Sequence, residues 1–334
     1  MENQESYIIQ LKGKNDLEWV KCPELNLADG YVQIEIKAGG IGPYDLYHVN
    51  GQRELKSGMI HVPGCEGSGV VTKVGGGVSK ELVGKNVGFL LDYNDPNARG
   101  AWAEHAVVPA SLIMEIDQVN PKWPEAAYCI ANPVTALGMY YDLLKDKKCI
   151  VQDTASGALG TMVTKLCVKN GIEIINICRK EANLQILENA GSKYNFASDS
   201  KECINGLKKV IDEKKPQFYL TYTGGNFPSK VFDLLPPGSN MCVLGNMSGE
   251  DLDGYSSTDF IFQDKYITGW SIFNFAQRYK GGLTQLLKEL KENFDKGENS
   301  YDTLLGKEFS LKDIKEALKY YSENMSKGKI VLKP

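Results

Sequence analysis

The apolar run Ile150-Val151-Gln152 leads into Ala155-Ser156-Gly157-Ala158-Leu159-Gly160, and the helical stretch Met162-Val163-Thr164-Lys165-Leu166 follows. Small residues at 155, 157 and 160 permit a tight turn, a close approach of backbone to a pyrophosphate, and tight packing of helix on strand. The start of the helix adds free N–H groups and the positive end of the helix dipole, which together favour an anion. A glycine pattern by itself is weak, because a helix can begin on such a turn with no ligand. Here it lies between a strand and a helix, and a second strand, Ile174-Ile175-Asn176-Ile177, comes later, which is the context a dinucleotide turn needs. That second strand ends at Cys178-Arg179-Lys180, where an NAD enzyme would place a carboxylate on the ribose hydroxyls. Arg179 offers instead a planar fork of donors to a 2′-phosphate, with Lys180 beside it, and each charge-assisted bond is worth roughly 1.5–3 kcal/mol. The pair predicts NADPH over NADH. The alternative is a solvated basic pair at the end of a strand.

A doubly wound parallel sheet would hold these groups, and the chain from about Trp123 has its grammar. Strand Cys149-Ile150-Val151, a helix after Gly160, strand Ile172 to Ile177, a helix near Ala182 to Ala190, and strands at Phe218 to Thr221 and Met241 to Leu244 alternate as such a sheet requires. Upstream, Tyr7 to about Pro109 is strand-like and punctuated by Gly39-Gly40, Gly67-Ser68-Gly69 and Gly75-Gly76-Gly77, which predicts a mainly antiparallel β domain. After Trp270 come a helix around Leu283 to Leu290 and another opened by Ser310-Leu311-Lys312-Asp313. The closing run Ile330-Val331-Leu332 is expected to return to the first domain. The predicted fold class is thus α/β, with domains at 1–122, 123–272 and a returning segment at 273–334.

Composition narrows the partners. At 334 residues the chain is comfortable as two domains, and a formal net charge of -4 gives no footprint for nucleic acid. Its eight cysteines are scattered, against both a zinc ribbon and a disulfide framework, so a reducing compartment fits. The stretch Met1-Glu2-Asn3-Gln4-Glu5 has no apolar signal region, and no run approaches a membrane span. A cytoplasmic location is expected, with an organelle address left open.

Several landmarks in order then carry a family resemblance: Ala38-Gly39-Gly40-Ile41-Gly42-Pro43-Tyr44-Asp45, Pro63-Gly64-Cys65-Glu66-Gly67-Ser68-Gly69-Val70-Val71, Gly100-Ala101-Trp102-Ala103-Glu104, Asn132-Pro133-Val134-Thr135-Ala136, the glycine turn, and Phe262-Gln263-Asp264 with Gly269-Trp270. Nearly end to end, the chain resembles the medium-chain dehydrogenase/reductase superfamily, in particular its zinc-free quinone oxidoreductase branch. The resemblance implies a GroES-like catalytic domain beside a Rossmann domain. It also implies a homodimer, with an edge strand near Phe260 to Thr268 adding to its twin.

In zinc-dependent relatives the metal ligands fall on positions matching Gly42, Cys65 and Ala131, of which only Cys65 could ligate, and Leu90 to Trp102 lacks the cysteines of their structural zinc lobe. No metal is therefore expected, and Cys65 is expected to act as a small buried hydrophobe. None of His48, His61 and His105 falls on a zinc-ligand position; His61 and His105 are expected to be structural, and His48 could take a polar role. Without a metal, hydride transfer to a quinone or a conjugated enone survives better than alcohol oxidation, because the incoming charge spreads onto an oxygen that hydrogen bonds can stabilise.

By resemblance, Tyr47 is the first candidate for that hydrogen bond and Tyr44 the second, with a packing role for Tyr47 as the alternative. Thr135, Gly245-Asn246 and Trp270-Ser271 are expected at the nicotinamide end, beside Ala155, Gly157, Ala158, Leu159 and Gly160 at the pyrophosphate. Lys329 is expected either at the cofactor phosphate or at the surface. A further tyrosine of quinone and enoyl-thioester reductases falls on Arg53. The leading expectation is an NADPH-dependent quinone or enone reductase acting on a small molecule. The alternatives are a trans-2-enoyl-thioester reductase and a catalytically silent, cofactor-binding subunit of a larger assembly.

Overall fold

The computed structural model describes residues 6–23, 27–52, 54, 60–297 and 300–334. Two compact units divide the chain, one of Met1–Asn132 with Leu283–Pro334 and one of Pro133–Gly282. The boundaries expected after 122 and 272 stand against observed ones after 132 and 282, because the chain passes from one unit to the other inside helix Ala131–Met139 and again at helix Gly282–Asp295, and a periodic pattern gives no sign of such a change.

The first unit begins with a hairpin of β1 (Tyr7–Gly13) and β2 (Asp16–Lys21). Its main sheet is built from β3 (Tyr31–Gly40), β4 (Glu66–Val74), β5 (Asn86–Leu90), β6 (His105–Pro109) and β7 (Ile113–Glu115). All of these pair antiparallel, and alternation places Val32, Ile34 and Ile36 of β3 in a core with Val71, Val87, Phe89 and Val108. At Gly69, an added Cβ would lie 2.0 Å from the Glu35 carbonyl oxygen, so only glycine lets β3 and β4 approach this closely.

The second unit supplies β8 (Cys149–Gln152), β9 (Glu173–Cys178), β10 (Tyr194–Ala197), β11 (Phe218–Thr221), β12 (Asn240–Val243) and β13 (Tyr266–Gly269). Every pairing is parallel, and the order is β10-β9-β8-β11-β12-β13. This is the doubly wound order, which reverses direction between β8 and β11, and ligands of such sheets bind beyond the carboxyl ends of the strands at that reversal. Val151, Ile175, Tyr219 and Met241 are buried on one face with Leu207, Ile211, Val231 and Phe232 of the covering helices.

The chain then re-enters the first unit through β14 (Leu305–Ser310) and β15 (Lys329–Lys333). The last strand pairs parallel with β14 and antiparallel with β3, at Val331 opposite Gly40 and Leu332 opposite Gly39, so the end of the chain lies inside the sheet. The Ser310 hydroxyl accepts from Lys312 N, but the segment opens with a 3-10 turn before helix Ile314–Asn324. Helix Ala131–Met139 continues into a π-helical turn at Tyr140–Leu144, a form that composition does not announce.

Candidate active site

In the second unit, β8 is buried along its whole length and ends at Gln152 and Asp153, both enclosed. The Asp153 carboxylate accepts from the hydroxyls of Tyr219 and Thr221, each at 2.6 Å, and from Tyr222 N at 2.8 Å. These bonds tie the end of β8 to β11 at the reversal point. Thr154 follows with a φ of 51°, a left-handed conformation that a β-branched residue holds only when its surroundings over-determine it. Gln152 Nε2 shares its two N–H groups among Gly160 O, Thr164 Oγ1 and Asn176 Oδ1, all at 2.8–2.9 Å, fixing the first turn of the next helix against both strands.

Helix Ala158–Lys169 starts at Gly157 with no side chain capping it, so backbone N–H groups of its first turn are left for a ligand. A Cβ on Gly160 would stand 2.6 Å from Ala155 O, and one on Gly157 3.3 Å from Thr154 O. Close packing of helix on turn thus needs glycine at 160.

The other expected nucleotide residues follow the carboxyl ends of neighbouring strands. Arg179 and Lys180 come directly after β9, both exposed, and no described acidic side chain pairs with the Arg179 guanidinium. Gly245 and Asn246 follow β12, half-buried, with Asn246 Oδ1 accepting from the Ser248 hydroxyl at 3.3 Å. Trp270 and Ser271 follow β13. Trp270 Nε1 donates to Asp142 at 2.8 Å, Arg278 pairs with the same carboxylate, and Ser271 caps helix Ile272–Arg278 by accepting from Asn274 N. That helix packs on the one carrying Thr135: a Cβ on Gly138 would meet Ile272 at 2.8 Å and Phe275 at 3.1 Å. Asp153 and Asp142 are the positions sequence reasoning missed here; each sits beside a recognised segment, but its partners come from distant strands.

In the first unit, Gly42 caps helix Pro43–Val49, and Asp45 on its first turn is fully buried. Its carboxylate accepts from Gly42 N at 2.7 Å, Gly64 N at 3.2 Å, Cys65 N at 2.8 Å and the Tyr93 hydroxyl at 2.5 Å. The Cys65 thiol faces Asp45 Oδ2 at 3.7 Å. Tyr44 meets the rings of His48 and Tyr93 edge-on at 5.4 and 5.1 Å, and His48 stacks on Tyr93 at 3.8 Å. Tyr47 is half-buried one helical turn beyond Tyr44. His105 shares a hydrogen bond with the Ser6 hydroxyl, and the Leu11 to His61 bridge holds His61 in the sheet framework. Arg53 lies outside the described residues.

Gly40 lets Tyr128 and Glu66 close in, since a Cβ there would lie 2.9 Å from the Tyr128 ring and 3.1 Å from Glu66 Cγ. Glu66 is 2% exposed and accepts from Ala131 N at 3.2 Å, the first residue of helix Ala131–Met139. Tyr128 donates to Ile330 O and accepts from Ile41 N at 2.8 Å, stitching β15 beside the site. Lys329 is 6% exposed, its ammonium 5.0 Å from the Tyr128 ring centre. The residue expected at a cofactor phosphate or at the surface is thus enclosed among acids and tyrosines of the first unit.

Burial pushes the Glu66 carboxyl up to about 7; Lys329 works against that shift and Asp45 adds to it. Folded Glu66 therefore holds its proton across a window, from its ordinary 4.5 to about 7, in which the unfolded residue has lost it. Its contribution to stability is full below 4.5 and is lost as pH rises to about 7. The amount is about 3 kcal/mol, from the spacing of the two values. Urea unfolding of wild type and Glu66→Gln at about pH 4.5 and about pH 8 should show the difference between them changing by that amount. Equal pH dependence in both proteins would refute it.

The comparisons with known proteins agree with this architecture. The alcohol dehydrogenase GroES-like domain model matches residues 28–118, and the zinc-binding dehydrogenase model matches 158–289. A mitochondrial enoyl-[acyl-carrier-protein] reductase of Arabidopsis thaliana is 28% identical over 283 residues, covering 83% of this chain and 72% of its own. Among solved structures, a Pseudomonas syringae quinone oxidoreductase superposes with a TM-score of 0.84 at 19% identity, over 98% of this chain and all of its own. The Escherichia coli quinone oxidoreductase complexed with NADPH gives 0.83 at 20% identity, over 99% of each chain. The chain belongs to the medium-chain dehydrogenase/reductase superfamily of oxidoreductases, and its fold is that of the quinone oxidoreductase-like branch.

The zinc in the name of the second family model does not fit this site. Neither Gly42 nor Ala131 has a donor side chain, which leaves Cys65 alone of the three matching positions able to ligate, where a catalytic zinc needs three protein ligands. Among the described residues no three His, Cys, Asp or Glu side chains gather as a metal site.

Proposed function

We propose that this chain is an NADPH-dependent reductase of quinones or α,β-unsaturated carbonyls. The observation that carries the reading is Arg179, exposed and with no acidic partner among the described residues, at the carboxyl end of β9, one strand from an uncapped helix start behind Gly157. A 2′-phosphate on Arg179 and Lys180, and a pyrophosphate on Ala155, Gly157, Ala158, Leu159 and Gly160, match those two places. Thr135, Gly245, Asn246, Trp270 and Ser271 would hold the nicotinamide end. Bound NADPH supplies the hydride. The Asp142 carboxylate keeps Trp270 in place, Asp153 keeps the turn in place, and Tyr44 and Tyr47 offer hydroxyls to an acceptor oxygen.

The acceptor class is carried by the residue types at the metal positions, since a site without a Lewis acid favours acceptors that delocalise incoming charge. Enoyl-thioester reduction is the second reading, favoured by the Arabidopsis relative. A homodimer belongs to the same proposal. Strand β13 is the edge of its sheet; its first residue, Tyr266, is 50% exposed, and Ile261 and Phe262 just before it are 65% and 79% exposed.

Purified protein should quench or shift NADPH fluorescence and oxidise NADPH with at least one of a panel of quinones and enones. Inhibition of that turnover by a short trans-2-enoyl thioester, with its own reduction, would select the second reading. No binding and no oxidation with any acceptor would end both.

A further inference from the structure

Gly42 and Cys65 match two positions that hold the metal in zinc-dependent relatives, and a Cβ on Gly42 would lie 3.8 Å from Cys65 Sγ. The same Cβ would lie 4.0 Å from Lys329 Nζ. A thiolate holds zinc at about 2.3 Å, which puts the ion roughly 3–3.5 Å from the Cβ of its ligand. The Lys329 ammonium therefore stands close to the place a metal would take, carried there by β15, which pairs with β3 immediately beside Gly42.

Three observations make it more than a filler of space. Lys329 is 6% exposed, and no hydrogen bond or ion pair joins its ammonium to a described residue. Burial works to lower its pKa, yet the net shift is upward, so the group keeps its proton. Its ammonium lies 5.0 Å from the Tyr128 ring centre, a cation–π contact that meets the charge without using the N–H donors.

We infer that Lys329 takes over the work of the missing Lewis acid, its ammonium binding the carbonyl oxygen of the acceptor and stabilising the negative charge that develops there. The inference rests on the reductase reading. With an enone, the β-carbon gains a C–H bond and two electrons with the hydride from NADPH. The C=C pair shifts to form the enolate, and the carbonyl π pair comes to rest on oxygen. A Lys329 N–H donates to that oxygen, and solvent then protonates the α-carbon, leaving NADP+ and the saturated ketone. Lys329 keeps its proton throughout, as a preorganised donor aimed at the developing charge.

With the full-length protein, Lys329→Met should lower kcat for an enone about a hundredfold, the size expected when one oxyanion donor is lost. The Kd for NADPH should stay within twofold, and Lys329→Arg should recover part of the rate. A second readout needs no turnover. 4-Nitrophenol, whose phenolate absorbs visible light, should bind wild type as the phenolate and Lys329→Met only as the neutral phenol. If Lys329→Met fails to fold, Lys329→Gln serves in both measurements. Unchanged kcat with a tenfold weaker NADPH would make Lys329 a cofactor-phosphate ligand and overturn the inference. Identical phenolate binding by wild type and variant would overturn it too. Should wild type bind phenolate through Lys329 yet reduce no acceptor, the reductase reading fails while the oxyanion site stands.

Discussion

Arg179→Glu should raise the Kd for NADPH about a thousandfold while leaving NADH within a few-fold. The Arg179 side chain is exposed at the end of β9 and spends none of its donors on a described carboxylate, so its removal leaves the folded protein intact. A 2′-phosphate would lose two charge-assisted bonds of roughly 1.5–3 kcal/mol each and meet a like charge in their place. Lys180, as a point charge on a flexible stem, would recover only part of this. Fluorescence titration with both nucleotides checks the result. Equal weakening of NADPH and NADH would remove the 2′-phosphate from Arg179, and no change in either would remove the nucleotide from this end of the sheet.

Asp45→Ala should cost about 5 kcal/mol of stability, more than most single substitutions. It strands the N–H groups of Gly42 and Cys65 and the Tyr93 hydroxyl in a fully buried place, while Gly64 N keeps its bond to the Tyr93 oxygen, and each orphaned donor costs roughly 1–3 kcal/mol with incomplete additivity. Asp45→Asn should cost less than half as much. It keeps one acceptor oxygen for Gly64, Cys65 and Tyr93, and burial already raises the Asp45 carboxyl toward its neutral form. Chemical denaturation of the two variants gives the ranking; an alanine variant as stable as the asparagine one would show that the first unit does not depend on this hub.

What the sequence made legible, and what it did not, follows from distance along the chain. The glycine turn, its two strands and Arg179 lie within thirty or so residues, a span in which a βαβ unit closes on itself, so periodicity and spacing are enough to find them. The fold class followed from the same alternation, and the returning apolar run at 330–332 was readable because a strand that short must join an existing sheet. The cluster of Asp45, Glu66, Tyr128 and Lys329 is assembled from four separated stretches, brought together by the pairing of β15, β3 and β4. No local spacing encodes it. Glu66 read as a neighbour of Cys65 and Lys329 as a residue before a strand, and only the register of Val331 on Gly40 shows that they share one enclosure. Asp153 was hidden in the same way, since its three donors come from β11 and the residue that follows it.

The position of β15 between β14 and β3 also orders events during synthesis. The Rossmann unit, Pro133–Gly282, is complete in sequence before β14 and β15 are made and is free to fold on the ribosome, whereas the β-rich unit lacks an interior strand until residues 329–333 emerge. A chain cut before residue 329 would lose that strand and the Lys329 ammonium together. Loss of residues 329–333 would therefore open the β-rich sheet between β14 and β3 while leaving the parallel sheet of Pro133–Gly282 whole.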